Sequence, residues 1–140
     1  MIARALTVLG LAIAASSCGG DGVIDMGSVP PVDVAPTLGS LQTSIFTPQC
    51  AVAGCHGTPF PEQGMLLSAG STYVYTVGVD STEVPAFKRV APGNAADSYL
   101  YMKIAGDPRI VGERMPFGGM LTAAEIEAVR AWIDAGAKDD

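Results

Sequence analysis

The residues of this chain best suited to chemistry are two closely spaced cysteines and the histidine that follows them. Cys50 and Cys55 are separated by four residues, and His56 is adjacent to Cys55. His56 is the only histidine among the 140 residues, and the third cysteine, Cys18, lies well upstream. Two thiols and an imidazole in one short segment can attach a prosthetic group, form a disulfide or bind a metal ion.

Covalent attachment of haem is one chemistry that uses all three side chains. Thioether bonds from two cysteines fix the macrocycle, and a histidine directly after the second cysteine becomes the proximal ligand of the iron. The usual motif has two residues between the cysteines, whereas here there are four small ones, Ala51 to Gly54. Because Gly54 can adopt conformations closed to other residues, we expect a wider loop that still brings both sulfurs to one haem c per chain.

A candidate for the second axial ligand lies in a glycine-rich loop further along the chain. Residues 114–119 read Arg-Met-Pro-Phe-Gly-Gly, and the proline restricts the backbone beside Met115. Ligation of iron by His56 and Met115 gives a six-coordinate site with a raised potential. The alternative is that Met115, one of six methionines, only fills a gap in the core, and Met120 is the nearest competing thioether.

Two other interpretations of the cysteine pair remain open. A Cys50–Cys55 disulfide would close a short loop in an exported binding or adhesion module, and His56 would then be incidental. A zinc site built on the same three residues would need a carboxylate or water as its fourth ligand, because there is no second cysteine pair. Haem attachment is favoured because it uses the cysteine pair and the only histidine.

Residues 1–17 have the pattern of an export signal. A positive start precedes an apolar run at residues 5–15, which is too short to span a bilayer. The Ala-Ser-Ser-Cys sequence that ends at Cys18 resembles the lipobox of bacterial lipoproteins, although Ala15 stands where most lipoboxes have leucine. We expect a lipid on Cys18 and a location on the periplasmic face of a bacterial membrane, the outer one rather than the inner. The alternative is an ordinary secretory peptide cleaved nearby.

A flexible linker is predicted between the lipidated cysteine and the folded domain. Residues 18–37 are rich in Gly, Pro and Asp and lack apolar periodicity, which is typical of a tether. The remaining residues, 38–140, suit one domain with one core. The net charge of −6 argues against nucleic acid as a partner, since its recognition needs a basic surface.

Three helices are predicted to position the chemical residues. Apolar residues recur at helical spacing from Leu38 to Phe46, until Pro48 ends the pattern. A second helix is expected at residues 99–105, capped by Asp97 or Ser98. The apolar patch at residues 73–77 fits a strand or helical turns, and the preceding Ser-Thr pair favours turns.

The third helix has the clearest signals. Thr122 and Glu125 form a capping box, and Gly136 is expected as the left-handed cap after Ala135. Its buried stripe is predicted to contain Ile126, Val129 and Ile133, with Trp132 beside it. Three helices without a convincing strand pair predict an all-α fold with long Gly- and Pro-rich loops. Surface cations usually have no specific partner, so Arg89, Lys103 and Arg114 are left outside the predicted site.

The order of these motifs resembles that of the small cytochrome c domains in exported proteins of myxobacteria and planctomycetes. The resemblance covers about residues 38–140. It is carried by Phe46-Thr-Pro-Gln-Cys50 with Cys55-His56-Gly57, Gly64-Met-Leu-Leu-Ser68, Val90-Ala-Pro-Gly93 before Ser98-Tyr-Leu100, Met115-Pro-Phe-Gly-Gly119, and Glu125-Ile126 through Trp132-Ile-Asp-Ala-Gly-Ala137.

The resemblance implies a cytochrome c-like helical domain around one haem, in which the first and last helices cross. Cys50 and Cys55 would be the attachment cysteines, His56 the proximal ligand and Met115 the distal ligand. It also implies an electron carrier rather than an enzyme. The expected partners are redox proteins in the periplasm or at the membrane, together with the membrane itself through the lipid on Cys18.

Overall fold

The structure, a computed structural model, describes residues 33–140. The predicted signal peptide, the lipidation site Cys18 and most of the predicted linker lie outside the described residues. Within them the chain is helical and forms no β-sheet, so the predicted all-α class is confirmed there. No helix in this part of the chain is long and apolar enough to cross a membrane.

The described fold contains four short α-helices and a π-helix. The α-helices are α1 (Leu38–Leu41), α2 (Thr72–Thr76), α3 (Tyr99–Ala105) and α4 (Ala123–Asp134). A π-helix, Gln42–Cys50, continues directly from α1, and short 3-10 turns lie at Glu62–Gly64 and Ala95–Asp97. The turns predicted around residues 73–77 are therefore confirmed as α2.

The first helix differs from the prediction because Pro48 lies inside it. An α-helix would direct the N–H of residue 48 to the carbonyl of Ser44, and proline has no N–H. The wider π-turn is closed instead by the N–H of Ala51, which donates to the Phe46 carbonyl over 2.7 Å. Gln49 Nε2 donates to the Ser44 carbonyl at 3.5 Å. Pro48 therefore widens the helix instead of ending it, and the helix extends to Cys50.

Helices α3 and α4 lie where the sequence predicts them. Ser98 occupies the N-cap position of α3, but its hydroxyl donates to the Asn94 carbonyl at 2.8 Å and gives α3 no side-chain cap. Gly106 ends α3 in the left-handed conformation, with φ 76°. The predicted capping box of Thr122 and Glu125 opens α4. The predicted side-chain cap of α3 is therefore not formed, whereas the end of α3 and the start of α4 lie at the predicted signals. Gly136 follows α4 with the predicted positive φ, 104°.

The core lies where α4 packs against α1 and α3. Trp132, predicted beside the buried stripe, is only 1% exposed, and its indole N–H donates to the Lys138 carbonyl at 2.8 Å. Because this N–H has an acceptor, the whole indole can be buried. Ile126, predicted within the stripe, is only half-buried. The buried face of α4 consists of Ala128, Val129, Trp132 and Ile133.

The residues just before α1 also pack into the domain. Val34, which the sequence places in the linker, is 7% exposed and belongs to the core. The N–H of Leu38 donates to Asp140 Oδ1 at 2.9 Å, and the N–H of Gly39 donates to the Asp140 backbone oxygen at 2.8 Å. The first amide groups of α1 are thus bonded by a residue from the far end of the described sequence.

Candidate cofactor site

A cavity of about 460 Å³ opens between the π-helix, α3 and the loop before α4. Its volume lies within the ~300–1,000 Å³ common for ligand and cofactor sites. All four residues predicted to hold the cofactor line it: Cys50, Cys55, His56 and Met115. Apolar side chains complete much of the wall, among them Ile45, Phe46, Leu67, Leu100, Ile104 and Leu121. The fold therefore gathers at one cavity residues that are far apart in the sequence.

The four residues between the cysteines form a closed turn. The N–H of Cys55 donates to the Val52 carbonyl at 3.1 Å, and the N–H of His56 donates to the Cys50 carbonyl at 3.0 Å. Gly54 has φ 80°, a left-handed conformation that side chains rarely adopt, as the sequence predicts. Backbone hydrogen bonds thus fix the wider spacing in one conformation.

Gly57, which the sequence shows only as the last residue of the Cys55-His56-Gly57 motif, packs against the backbone of the turn between the cysteines. A Cβ at this position would lie 2.5 Å from the Ala51 carbonyl oxygen, so any side chain would force the turn open. In the sequence, the signal that could have identified this role is a glycine directly after His56, because glycine lets the chain pass close to its own backbone.

Both site cysteines are free thiols in the structure. Burial, with smaller contributions from Cys55 and Glu125, raises the pKa of Cys50 to about 12. Within residues 33–140, no three His, Cys, Asp or Glu side chains are grouped closely enough to hold a metal ion. The zinc interpretation, which needs both cysteines and His56 around one ion, is therefore not supported.

His56 is oriented by a backbone carbonyl. Its Nδ1 lies 3.1 Å from the Met65 oxygen, and because a carbonyl only accepts, Nδ1 carries the proton. Nε2 is then the ring atom with a free lone pair. Desolvation by burial lowers the pKa of His56, although hydrogen bonds with Met65 and Glu62 act in the opposite direction. A neutral imidazole whose other nitrogen is bonded to a carbonyl is the usual form of a histidine ligand.

Met115 is held in the cavity wall by α3. Its N–H donates to the Lys103 carbonyl at 3.0 Å. The ammonium group of Lys103 donates to the carbonyls of Val111 at 2.7 Å and Glu113 at 3.2 Å, and pairs with Glu83 Oε2 at 3.0 Å. Lys103 therefore fastens the loop that carries Met115 at three backbone positions.

Met120, the competing thioether, lies outside the cavity wall. It is 71% exposed, and Arg114 Nη1 lies 3.3 Å from its sulfur. The same guanidinium is anchored through Nε, which donates to the Ile104 carbonyl at 2.9 Å. Of the two candidate methionines, only Met115 lines the cavity.

Arg89, expected among the surface cations, is buried. It is 7% exposed and lines the cavity. Its guanidinium donates to the carbonyls of Gln63 at 2.7 Å, Tyr75 at 2.8 Å and Gly64 at 3.2 Å. No acidic side chain in the described part of the chain forms an ion pair with it. The sequence carries no signal for this role, because all three acceptors are main-chain groups, in the 3-10 turn Glu62–Gly64 and in α2.

Gln49 and Glu125 join the cysteine segment to α4. Gln49 Nε2 donates to Glu125 Oε1 at 2.7 Å, while Glu125 Oε2 accepts from the N–H and the hydroxyl of Thr122. The capping box, which the sequence predicts as a local helix signal, thus also holds the residue directly before Cys50. Only the tertiary packing shows this second role.

Comparison with known proteins finds no relative of this chain. No family model matches the chain, and no curated protein or solved structure matches it significantly. The assignment of function therefore depends on the residues of the cavity and on the motifs of the sequence.

Proposed function

We propose that this chain is a c-type cytochrome domain that carries electrons through one covalently bound haem c. The observation that carries the proposal is the state of His56 at the cavity. The only histidine of the chain has its Nδ1 proton engaged by the Met65 carbonyl, and it lines one cavity with two free cysteines and Met115. This is the donor set that haem attachment with histidine and methionine ligation requires.

The residues of the cavity fit such a group. Cys50 and Cys55 would attach it, His56 would be the proximal ligand through Nε2, and Met115 the distal ligand. When bound, haem supplies a one-electron couple. The apolar wall of the cavity would exclude water from the bound group, and the Met65 carbonyl keeps the His56 ring in one orientation. Because His56 and Met115 would both hold the group, the site would suit electron transfer better than catalysis.

The proposal for the whole chain includes its location. The export signal at residues 1–17 and the lipobox-like sequence at Cys18 favour a lipoprotein at the periplasmic face of a bacterial membrane. The outer membrane is favoured over the inner. The partners would be redox proteins in the periplasm or at the membrane, and the net charge of −6 suits a partner with a basic docking patch.

The decisive experiment is a haem assay on the full chain made with the c-type maturation machinery. We expect a pyridine haemochrome spectrum of haem c and haem-linked peroxidase staining at the mature mass that survives extraction with acidic acetone. Replacing Cys50 and Cys55 together by Ala should abolish the stain and destabilise the domain, because the bound group stabilises only the folded state.

The matched control is Cys18→Ser, which keeps both site cysteines. It should retain the haem stain but no longer need detergent for extraction, since buried acyl chains contribute about 0.8 kcal/mol per methylene. Haem that extracts into solvent, or a folded and colourless wild type, would contradict the proposal. Identical fractionation of Cys18→Ser and wild type would contradict only the lipid anchor.

A further inference from the structure

We propose that Arg89 is a positioning residue that fixes the ring of His56 by holding the turn whose carbonyl bonds to it. The inference deepens the proposed function, on which it rests for the role of His56 as an iron ligand. The hydrogen-bond relay itself is a property of the chain and can be measured without that role.

The contacts form a short relay. The guanidinium of Arg89 donates to the carbonyls of Gln63 at 2.7 Å and Gly64 at 3.2 Å. The next residue is Met65, whose carbonyl lies 3.1 Å from His56 Nδ1. Arg89 therefore binds the two peptide groups directly before the one that orients the ring, and it fixes the direction of the Met65 carbonyl.

The turn needs such a restraint because its backbone is strained. Gln63 has φ 55°, a left-handed conformation that is unfavourable for a residue with a side chain. Gly64 follows with φ 61°, which glycine adopts without strain. The N–H groups of Gly64 and Met65 close the turn by donating to the carbonyls of Pro61 and Glu62 at 3.0 Å. Arg89 holds the carbonyl side of the same turn. Without Arg89 the chain would relax at Gln63, and the Met65 carbonyl would turn away from the ring.

Arg89 is itself anchored independently of this turn. Its N–H donates to the Val79 carbonyl at 2.7 Å, its carbonyl accepts from the N–H of Leu100 at 2.9 Å, and Nη1 also donates to the Tyr75 carbonyl at 2.8 Å. Tyr75 lies in α2, Val79 lies just after it, and Leu100 lies in α3. The guanidinium of Arg89 thus holds the turn at residues 63–65 in a fixed position relative to α2 and α3.

An arginine is suited to this task where lysine is not. The planar guanidinium presents several N–H donors in a fixed fork, so one side chain can bond carbonyls of the 3-10 turn and of α2 at once. Burying this charge without an acidic partner is unfavourable. An apolar residue could fill the space at lower cost, so packing alone does not account for a cation here.

The test uses the single histidine of the chain. In the full-length, haem-loaded, reduced protein labelled with [¹⁵N]histidine, only one imidazole gives a signal. We expect exchange of the His56 Nδ1 proton with solvent to become at least about tenfold faster in Arg89→Gln. Arg89→Lys should restore protection only in part, and the midpoint potential of Arg89→Gln should rise because the imidazole becomes a weaker donor.

Two further variants separate positioning from general stability. Arg109→Gln removes an exposed guanidinium that pairs with Asp97 and Asp107, and it should leave the exchange rate unchanged. Adding Gln63→Gly to Arg89→Gln should recover part of the protection, because glycine adopts the required φ without strain. If Arg89→Gln exchanges within twofold of wild type, the proposal is overturned even when the protein is less stable.

Failure of the proposed function would look different. If the chain carries no haem, the ¹⁵N shifts of the haem-free protein report the tautomer of His56 directly. Wild type should then hold at least about a tenfold excess of the Nδ1-protonated form, and Arg89→Gln should reduce it. A tautomer ratio that Arg89→Gln leaves unchanged would overturn the positioning role.

Discussion

The two segments that supply the proposed axial ligands are held in different ways. The His56 segment, residues 50–67, is closed mainly by backbone hydrogen bonds, such as that from the N–H of Leu67 to the His56 carbonyl at 2.8 Å. The Met115 segment, residues 107–121, is fastened largely by the long side chains of Lys103 and Arg114. Main-chain bonds, supplemented by the buried Arg89, hold the His56 segment, whereas the side chains of Lys103 and Arg114 provide much of what holds the Met115 segment.

Exposure does not separate the two segments, because Phe60 in the His56 segment is 85% exposed and Leu121 in the Met115 segment is 5% exposed. The difference lies in their hydrogen bonds: the main chain of the Met115 segment has few bonds to the rest of the domain, among them that from the N–H of Met115 to the Lys103 carbonyl. Segments with few such bonds open at lower free energy than the core. We therefore expect the Met115 side of the cavity to open first.

The largest effects should come from removing the ligands themselves. His56→Ala should abolish the low-spin haem spectrum and most accumulation of the loaded protein, because the more firmly built ligand is lost. Met115→Ala should keep the covalent haem but lose the thioether-to-iron band, bind carbon monoxide readily when reduced, and show a lower potential. Absorption spectra and a redox titration of each variant check this.

Met120→Ala is the matched control for the methionine variant. Its sulfur lies outside the cavity wall, so the thioether band should persist. A wild type that is already high-spin and binds external ligands would contradict the electron-carrier proposal and would favour a peroxidase-like or sensing role.

The contrast between the two segments also marks what the sequence can predict. The cysteine pair with His56 and the capping box at Thr122 are local patterns, and the structure has each of them where the sequence places it. The placement of Met115 at the same cavity also follows from the order of motifs. Such signals need no knowledge of distant residues.

Other features depend on hydrogen bonds to backbone groups, which no residue type marks. The π-helix through Pro48 depends on Gln49 and Ala51 closing a wider turn, whereas the local rule ends a helix before proline. Arg89 and Lys103 look like surface cations in the sequence, because their acceptors are carbonyls, which every residue has. Side chain to backbone bonds of this kind have no pattern that a single sequence displays.

An intermediate effect should come from removing the hydrogen bonds by which Lys103 holds the Met115 segment. Lys103→Met keeps the length of the side chain but loses its hydrogen bonds to Val111 and Glu113 and its pairing with Glu83. Bonds from charged donors contribute about 1.5–3 kcal/mol in favourable sites. We expect external imidazole to bind the ferric protein about tenfold more tightly, which corresponds to ~1.4 kcal/mol.

The control for this variant is Lys88→Met. Lys88 is exposed and pairs with Asp80, away from the cavity wall, so imidazole affinity should not change. The exchange of the His56 Nδ1 proton should be the same in Lys103→Met and wild type. Accelerated exchange there would show that the two segments are coupled and that the comparison between them is wrong.

The smallest effect concerns the link between the His56 segment and α4. Burial alone would raise the pKa of Glu125, but hydrogen bonds from the backbone and hydroxyl of Thr122 and from Gln49 lower it below its ordinary 4.5. A carboxylate with a lowered pKa stabilises the fold above its unfolded pKa, and this contribution is lost as the pH falls through the folded value. Glu125→Gln should therefore cost about 1 kcal/mol of unfolding free energy at pH 7.

The pH dependence identifies the charge of Glu125 as the cause of this cost. In urea unfolding, the difference between wild type and Glu125→Gln should shrink as the pH falls below about 4.5, because wild-type Glu125 then becomes neutral as well. Glu113→Gln is the control, because the exposed side chain of Glu113 takes no part in the contact between Gln49 and α4. It should leave the unfolding free energy nearly unchanged at pH 7 and at pH 3. A difference for Glu125→Gln that is equal at pH 7 and pH 3 would instead assign the cost to altered packing at the start of α4, and the carboxylate would not be what holds Gln49 beside Cys50.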